Sequence, residues 1–486
     1  MTRPRTTTTL RRVEGDLWEI PREGGMRVPG RVYSAGMPAP DDPALRQVAN
    51  VAHLPGILRF ALAMPDVHWG YGFPIGGVAA VDAEHGAVSP GGVGYDVNCG
   101  VRVVTTALHV DAVRPRLAEV AARIQREVPA GVGSTSVLPP LSDEDLDDVL
   151  RRGAAWAAGR GFAAGEDDPA RCEEGGRLEG ADPSAVSERA RARGRDQLGT
   201  LGSGNHFVEV DRVAEVYDPA AAEAFGLVAG GVAVQIHSGS RGLGHQVCDE
   251  TLDALAHDPG RFGADYARLP DPQLACAPVN SDEGRRYLAA MQAAANFAWA
   301  NRQVMTGLLV RALSASLRVS EARLGARLLY DVCHNVAKHE DHAVDGRTVR
   351  ALVHRKGATR AFGPGDARVP APYRAIGQPV LVPGDMGRCS FVLAGTARAM
   401  ADTFGSSCHG AGRVLSRGEA LRRARGRSIA GELEARGIEV RARVPKTLGE
   451  EMSEAYKDVT RVVAVMHDMG ISRLVARLEP LAVVKG

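Results

Sequence analysis

The sequence predicts a mixed α and β fold in which strands and helices follow one another without the regular strand-helix-strand rhythm of a parallel, doubly wound sheet. Three observations carry that prediction. Short apolar runs bounded by glycine turns recur, among them Val232-Ala-Val-Gln-Ile, Leu328-Leu-Tyr-Asp-Val and Val380-Leu-Val. A long helical pattern opens at Ser281 and stays apolar and Ala-rich to about residue 316. No internal repeat is visible. With 486 residues the chain exceeds the roughly 250 to 300 at which a single core stops growing, so one large domain or two are both open at this point.

Residues 1–35 are polar and punctuated by Pro and Gly, which predicts a short strand or two at most. Asp42-Pro43 then supplies a capping residue and a first-turn proline for a helix that Pro55-Gly56 closes. Apolar strands are expected on either side of His85-Gly86, an amphipathic helix over residues 112–127, and a helix start at the acidic run 142–148. Residues 159–183 are rich in Gly, Ala and acidic groups with little periodicity, and are expected to form a surface insertion or mobile loop. A helix near 218–225 precedes a strand, loop and helix from Val232 onward, and residues 380–393 read as two strands joined at a tight turn. His339 and His342 lie in a charged setting and are expected to be solvated.

Hydrophobic residues make up 44% and charged residues 24%, ordinary for a chain with a sizeable core. The formal net charge of +1 excludes recognition of nucleic acid by global charge, so any such surface must be local. The most basic segment, residues 411–446, holds ten Arg or Lys against four Glu. Seven cysteines without a CxxC pair suit free thiols in a reducing compartment. The polar N-terminus lacks the apolar core of a signal peptide, and no run of 18 apolar residues occurs, so a cytoplasmic protein away from membranes is expected.

The chemistry gathers around Pro90-Gly-Gly-Val-Gly-Tyr-Asp-Val-Asn-Cys-Gly, which puts the carboxylate of Asp96 three residues from the thiol of Cys99 among glycines. Such a pair can share a cation, or can be a buried cysteine beside a turn-forming acid. His206, His237, His334 and His409 each end an apolar run beside Gly or Asn. Together with Asp96 and Cys99 they supply six donors, more than one catalytic metal with three protein ligands and an open position can use. Either two metals share the site or one histidine does something else. Arg241, in the Gly-rich loop after His237, is a candidate anion cradle at a helix N-terminus, and the Gly-Ala-Gly turn after His409 is another. This pattern favours dinuclear phosphoryl transfer or hydrolysis.

The segments Met64-Pro-Asp-Val-His, Gly94-Tyr-Asp-Val-Asn-Cys-Gly-Val-Arg, Gly202-Ser-Gly-Asn-His-Phe, His237-Ser-Gly-Ser-Arg-Gly-Leu-Gly-His, Tyr330-Asp-Val-Cys-His-Asn, Ser407-Cys-His-Gly-Ala-Gly-Arg and the terminal Pro480-Leu-Ala-Val-Val-Lys-Gly resemble the RtcB RNA ligases. The resemblance implies a single large α+β domain, with central sheets and surrounding helices, that joins RNA ends using GTP and two Mn²⁺ ions. Its substrates would be a 2′,3′-cyclic phosphate or 3′-phosphate end and a 5′-hydroxyl end, from tRNA splicing or RNA damage. By position, Cys99 would bridge the ions, one completed by His237 and His334, the other by Asp96 and His206. His409 would be the nucleophile carrying GMP, with Arg413 and Asn205 on the phosphate oxygens and Asp66 as the base for the hydroxyl. The implied nucleotide pocket is Asn205, His206, Phe207, Val208, Glu209, His334, Asn335, Pro383, Gly384, Asp385, Met386, Ser390, His409, Gly410, Ala411, Gly412, Tyr456 and Lys485. An archease-type activating protein is a possible partner, and a monomer is expected.

One position departs from that resemblance: the family commonly reads Pro-Gly-Ser-Met-Gly where this chain has Pro383-Gly-Asp-Met-Gly. An ionised Asp385 accepts hydrogen bonds only, which suits the N–H groups of guanine. Two rivals stand beside the ligase. A dinuclear metal phosphoesterase would use the same metal donors without His409 as nucleophile, and a non-enzymatic RNA-binding descendant would need no thiolate.

Overall fold

The computed structural model describes residues 7–258 and 260–486. Apolar runs such as Ile75–Asp82 and Pro379–Val382 become strands buried along nearly their whole length, because both sheet faces are covered. A seven-stranded sheet runs, in spatial order, Arg11–Glu14, Leu17–Ile20, Gly30–Tyr33, Ile57–His68, Ile75–Asp82, Arg347–Lys356 and Asn335–Val344. The main path of an eight-stranded sheet runs Arg327–Cys333, Gly100–His109, Gly231–Ser238, Phe207–Val216, Ser472–Lys485, Ser390–Gly395 and Pro379–Val382. The remaining strand, Glu439–Ala442, pairs in parallel with the end of Ser472–Lys485. Strands and helices thus form one large domain of the expected α+β kind.

The helix Asp282–Leu317 spans 36 residues. Ser281 caps it, its hydroxyl accepting the Gly284 N–H at 3.0 Å, and Asp282 and Glu283 sit where the helix dipole favours negative charge. It is buried on nearly every side, hence the continuous apolar pattern in place of a stripe. The helix expected over 112–127 is broken into Val110–Val113, a 3₁₀ turn Arg114–Arg116 and Leu117–Glu127. Pro115 explains the break, since a proline ring cannot sit in a continuous helix interior. The N-terminal region, expected to hold a strand or two, holds three, while residues 1–6 of that call lie outside the described residues.

Where a surface insertion or mobile loop was expected at 159–183, part of the segment packs inside. Asp168, Arg171, Cys172 and Glu173 are all buried. The Asp168 carboxylate accepts the N–H groups of Ala164 at 2.8 Å and Gly165 at 3.1 Å, and Gln303 Nε2 at 2.8 Å. Glu173 accepts the Cys333 N–H at 3.1 Å and pairs with the buried Lys338. The acidic composition serves interior cations here, and a series of tight turns has no periodicity to detect. His342 is also buried, not solvated, because Glu340 Oε2 lies 2.9 Å from its Nε2, whereas His339 is exposed as expected.

Candidate active site

Register in the eight-stranded sheet gathers the donors. Cys333 lies opposite Gly100, Gly100 opposite Ser238, and His237 opposite Phe207. Cys99, His206, His237 and His334 each occupy or adjoin one of these paired positions. They therefore meet at a common end of four neighbouring strands. Asp96 joins them through the turn before Gly100–His109, where Asn98 takes a left-handed φ of 50°.

Cys99 Sγ lies 3.2 Å from His237 Nε2 and 3.4 Å from His206 Nε2. His237 Nε2 is 3.2 Å from His334 Nε2, and His206 Nε2 is 2.9 Å from Asp96 Oδ2. Two donor sets result, Cys99 with His237 and His334, and Asp96 with Cys99 and His206, each with its ligand atoms within 4.8 Å of one another and Cys99 common to both. His206 Nδ1 is 2.9 Å from the Leu201 carbonyl, which commits its other nitrogen to the cluster. Burial, with Asp96 next to it, pushes the Cys99 thiol well up, and burial pushes His237 and His334 well down. Burial opposes ionisation of Asp96 too, but His206 and then Arg241 hold its carboxyl below the usual range. A cation reverses the penalty on the thiol, since a metal-bound thiol ionises. Neutral imidazoles, a thiol and a carboxylate fit a pair of divalent first-row ions.

The long helix braces this cluster from behind. Arg302 NH1 donates to the carbonyls of Asn98 at 2.7 Å and Ser238 at 2.8 Å, neighbours of Cys99 and His237. Its NH2 and Nε grip Asp331 at 2.7 and 2.8 Å, on the strand that leads to His334. Asn301 accepts the Gly199 N–H at 2.7 Å and donates to the Gly239 carbonyl at 3.2 Å.

His409 follows the strand Ser406–Cys408 and stacks edge-on to His334 with ring centroids 4.9 Å apart. Its Nδ1 is 2.5 Å from Asp66 Oδ2, which also accepts the backbone N–H groups of His409 at 3.0 Å and Gly410 at 3.2 Å. Burial alone would raise the Asp66 carboxyl, but His409, then Lys457, hold it down. Lys457 Nζ donates to the carbonyls on either side of Asp66, Pro65 at 2.9 Å and Val67 at 2.6 Å. The helix expected just after His409 begins only at Arg417, so the Gly410–Gly412 turn is not a helix N-terminus.

A cavity of about 400 Å³ opens over these groups. Among the nucleotide-pocket and metal candidates it is lined by Asp96, Cys99, Asn205, Phe207, Glu209, His237, His334, Asn335, Pro383, Gly384, Asp385, Met386, His409, Gly410, Ala411, Gly412, Tyr456 and Lys485, and by Arg413. Asp66, His206, Val208, Ser390 and Arg241 do not line it. Ser390 acts from behind, its hydroxyl accepting the Gly384 N–H at 3.1 Å. Arg241 is turned to Thr200 Oγ1 at 2.9 Å and the Gly131 carbonyl at 3.3 Å, and Arg413 to Glu451 at 3.0 Å, so neither guanidinium is free of protein partners. The basic segment is largely neutralised as well: Arg422 and Arg423 pair with Glu419, and Arg427 with Glu432 and Glu454. Sequence reasoning missed Glu451, Lys457 and Lys356. Only Lys356, in the basic run Arg355-Lys-Gly, carried any signal.

Fold and site define a class: a mixed α and β enzyme with two donor sets that share the Cys99 thiol and could each hold a metal ion, beside a carboxylate-held histidine. The family model for tRNA-splicing ligase RtcB matches residues 47–486. A tRNA-splicing ligase RtcB of Archaeoglobus fulgidus is 51% identical, covering 98% of this chain and 99% of its own, and one of Thermococcus kodakarensis is 50% identical, covering 99% and 100%. An RNA-splicing ligase RtcB homolog 1 of Entamoeba histolytica is 46% identical, over 91% of this chain and 83% of its own. The chain belongs to the RtcB family. Among the described residues no helix is long and apolar enough to cross a membrane.

Proposed function

We propose that the chain is a GTP- and Mn²⁺-dependent RNA ligase that joins 2′,3′-cyclic phosphate or 3′-phosphate ends to 5′-hydroxyl ends through a histidine–GMP intermediate. The observation that carries the reading is the 2.5 Å contact by which the buried Asp66 holds His409, a residue of the cavity wall. With Nδ1 engaged, Nε2 is the nitrogen left to attack the α-phosphorus of GTP, expelling pyrophosphate and forming a phosphoramidate. A cyclic phosphate end is first opened by water to the 3′-phosphate; GMP then passes from Nε2 to an oxygen of the RNA 3′-phosphate, which breaks the phosphoramidate and restores the imidazole. The 5′-hydroxyl attacks that phosphorus and expels GMP, closing the phosphodiester. Two ions held by Asp96, Cys99, His206, His237 and His334 would supply charge neutralisation at phosphate oxygens.

Asp66 takes a different role from the expected hydroxyl base. Three hydrogen-bond partners already share its Oδ2, all from His409 and Gly410. It orients the nucleophile and stabilises the imidazole as charge develops. Asn205, which lines the cavity, is a donor to a phosphate oxygen, and Arg413 would reach one on releasing Glu451. Lys485 faces Glu451 and then Glu209 electrostatically across the cavity wall, and Asp385, near Glu209, keeps a buried Oδ2 without a hydrogen-bond partner. That oxygen lies 3.4 Å from Arg388 Nε in an ion pair but makes no hydrogen bond, and an acceptor so placed supports guanine recognition. Broken tRNA-like ends in a reducing, cytoplasmic setting, an archease-type activator and a monomer complete the reading.

A phosphoesterase would need the donors alone and leave the His409–Asp66 pair idle. Incubation with α-labelled GTP and Mn²⁺ should leave an acid-labile, base-stable label on the protein, and RNA halves should then join. Hydrolysis of cyclic-phosphate ends with no protein label would replace the ligase with the phosphoesterase.

A further inference from the structure

The cavity wall extends beyond the implied nucleotide and metal residues to His68, Tyr71, Tyr95 and Lys356, and Gly357 links them to the reacting end, since an added Cβ there would stand 3.0 Å from His409 Cε1. Tyr71 and Tyr95 pack edge to face with centroids 5.6 Å apart, and Tyr95 lies against His245 at 4.9 Å and 32°. Trp69, two residues before Tyr71, is 57% exposed and Tyr71 itself 37%. Among the described residues the other clearly exposed aromatic is Tyr217; Tyr71 lines the cavity, and Trp69 adjoins the lining residue His68 in sequence without lining the cavity itself.

The stretch that presents them is held from behind. Gln47 bonds Gly70 twice, through its amide to the carbonyl at 2.6 Å and from the backbone N–H at 2.9 Å. Gly72 N–H donates to Gln273 at 2.9 Å, and Lys356 Nζ to the Tyr71 carbonyl at 2.7 Å. Large apolar rings kept in water on a fixed backbone carry a cost that burial against a partner recovers. The same Lys356 amine has no other hydrogen-bond acceptor among the described residues, which leaves donors for an anion.

We propose that Trp69, Tyr71 and Tyr95 form a stacking platform for the unpaired bases next to the reacting RNA end, with Lys356 donating to the adjoining backbone phosphate. The proposal rests on the ligase reading, which puts an RNA end at His409. Every base offers a π-face, so such a platform grips single-stranded RNA with little regard to sequence. It would select ends that are unpaired over ends within a duplex.

The test uses the full-length protein, RNA halves with single-stranded ends, and the Trp69→Ala and Tyr71→Ala variants. Guanylylation by GTP alone needs no RNA and reports an intact fold and nucleotide pocket. Ligation should show KM for RNA raised roughly 5- to 100-fold with kcat changed much less, and Trp69→Phe should recover most of the loss. In parallel, an unreactive RNA oligomer should quench tryptophan fluorescence in the unsubstituted protein and not in Trp69→Phe, since Trp156 and Trp299 are buried and Trp18 is half-buried on the strand Leu17–Ile20, outside the cavity wall. KM within twofold of the unsubstituted protein in both alanine variants, or fluorescence that RNA leaves unchanged, overturns the platform. Should the unsubstituted protein neither guanylylate nor ligate, the ligase reading fails, and the quenching titration still decides whether these rings bind RNA.

Discussion

At His409 the two ring nitrogens have different fates, and variants can separate them. His409→Ala removes no metal donor, so it should keep its ions yet form no protein–GMP adduct, while RNA already ending in pyrophosphate-linked GMP should still be joined. Asp66→Ala should retain metals and lose guanylylation by a factor on the order of 10³, because an unheld imidazole is misoriented. Normal adduct formation in Asp66→Ala would return Asp66 to the hydroxyl. Cys99→Ser should lose both ions, since an alcohol is a poor substitute for a bridging thiolate, and metal content by mass spectrometry decides it. The donors were legible in sequence because each ends an apolar run at a glycine or asparagine. The Asp66 contact was not, since 343 residues separate it from His409 and no local pattern encodes that distance.

Among elements, the long helix was the easiest to read and its task the hardest. Its Ser281 cap and apolar run are local signals, whereas Arg302 looks like any helix-surface arginine until four strand ends close over it. Arg302→Leu leaves Asp331 with Arg102 and the Trp299 indole N–H, one cation in place of two, and takes the donor from two carbonyls beside the candidate metal donors. A loss on the order of 3 kcal/mol is expected, read as a lower urea midpoint, together with less than two bound ions per chain. An unchanged midpoint with full metal content would deny the helix this role. In the seven-stranded sheet, His354 on Arg347–Lys356 is fully buried, and burial lowers its imidazole to about 4. The unfolded chain, with a histidine near the ordinary ~6.5, binds a proton that the folded chain refuses. Stability from this group is therefore complete above about pH 6.5 and is lost as pH falls towards 4, by about 2 kcal/mol at pH 5. His354→Gln should flatten that part of the stability curve by the same amount, and an unaltered slope between pH 6.5 and 5 would show that His354 does not set it.

For the whole molecule, the decisive feature is that the strand furthest along the sequence among those described is an inner one. Ser472–Lys485 lies between Phe207–Val216 and Ser390–Gly395, and both neighbours pair with it along several residues. The last apolar run was legible, but its place inside the sheet was not, because pairing partners 77 to 278 residues away leave no trace in local pattern. Without that strand, two sheet edges stand open and the Lys485 amine never reaches the cavity. A chain ending at residue 470 should therefore stay protease-sensitive and aggregate, as exposed strand edges do. Lys485 and Gly486 require a finer distinction. Gly486 is wedged so closely against Gly202 and Gly131 that a Cβ on it would meet the Gly202 carbonyl at 1.7 Å. Deleting both residues should then loosen the loop ahead of Asn205 as well as remove the amine, and so is no pure test of the nucleotide contact. Lys485→Met keeps the strand and the terminal glycine and removes only the charge. It should unfold at or above the unsubstituted midpoint, because burial disfavours that amine, yet guanylylate at least tenfold more slowly at limiting GTP. A Lys485→Met protein with unchanged GTP affinity would mean that the buried end of the chain serves the sheet alone.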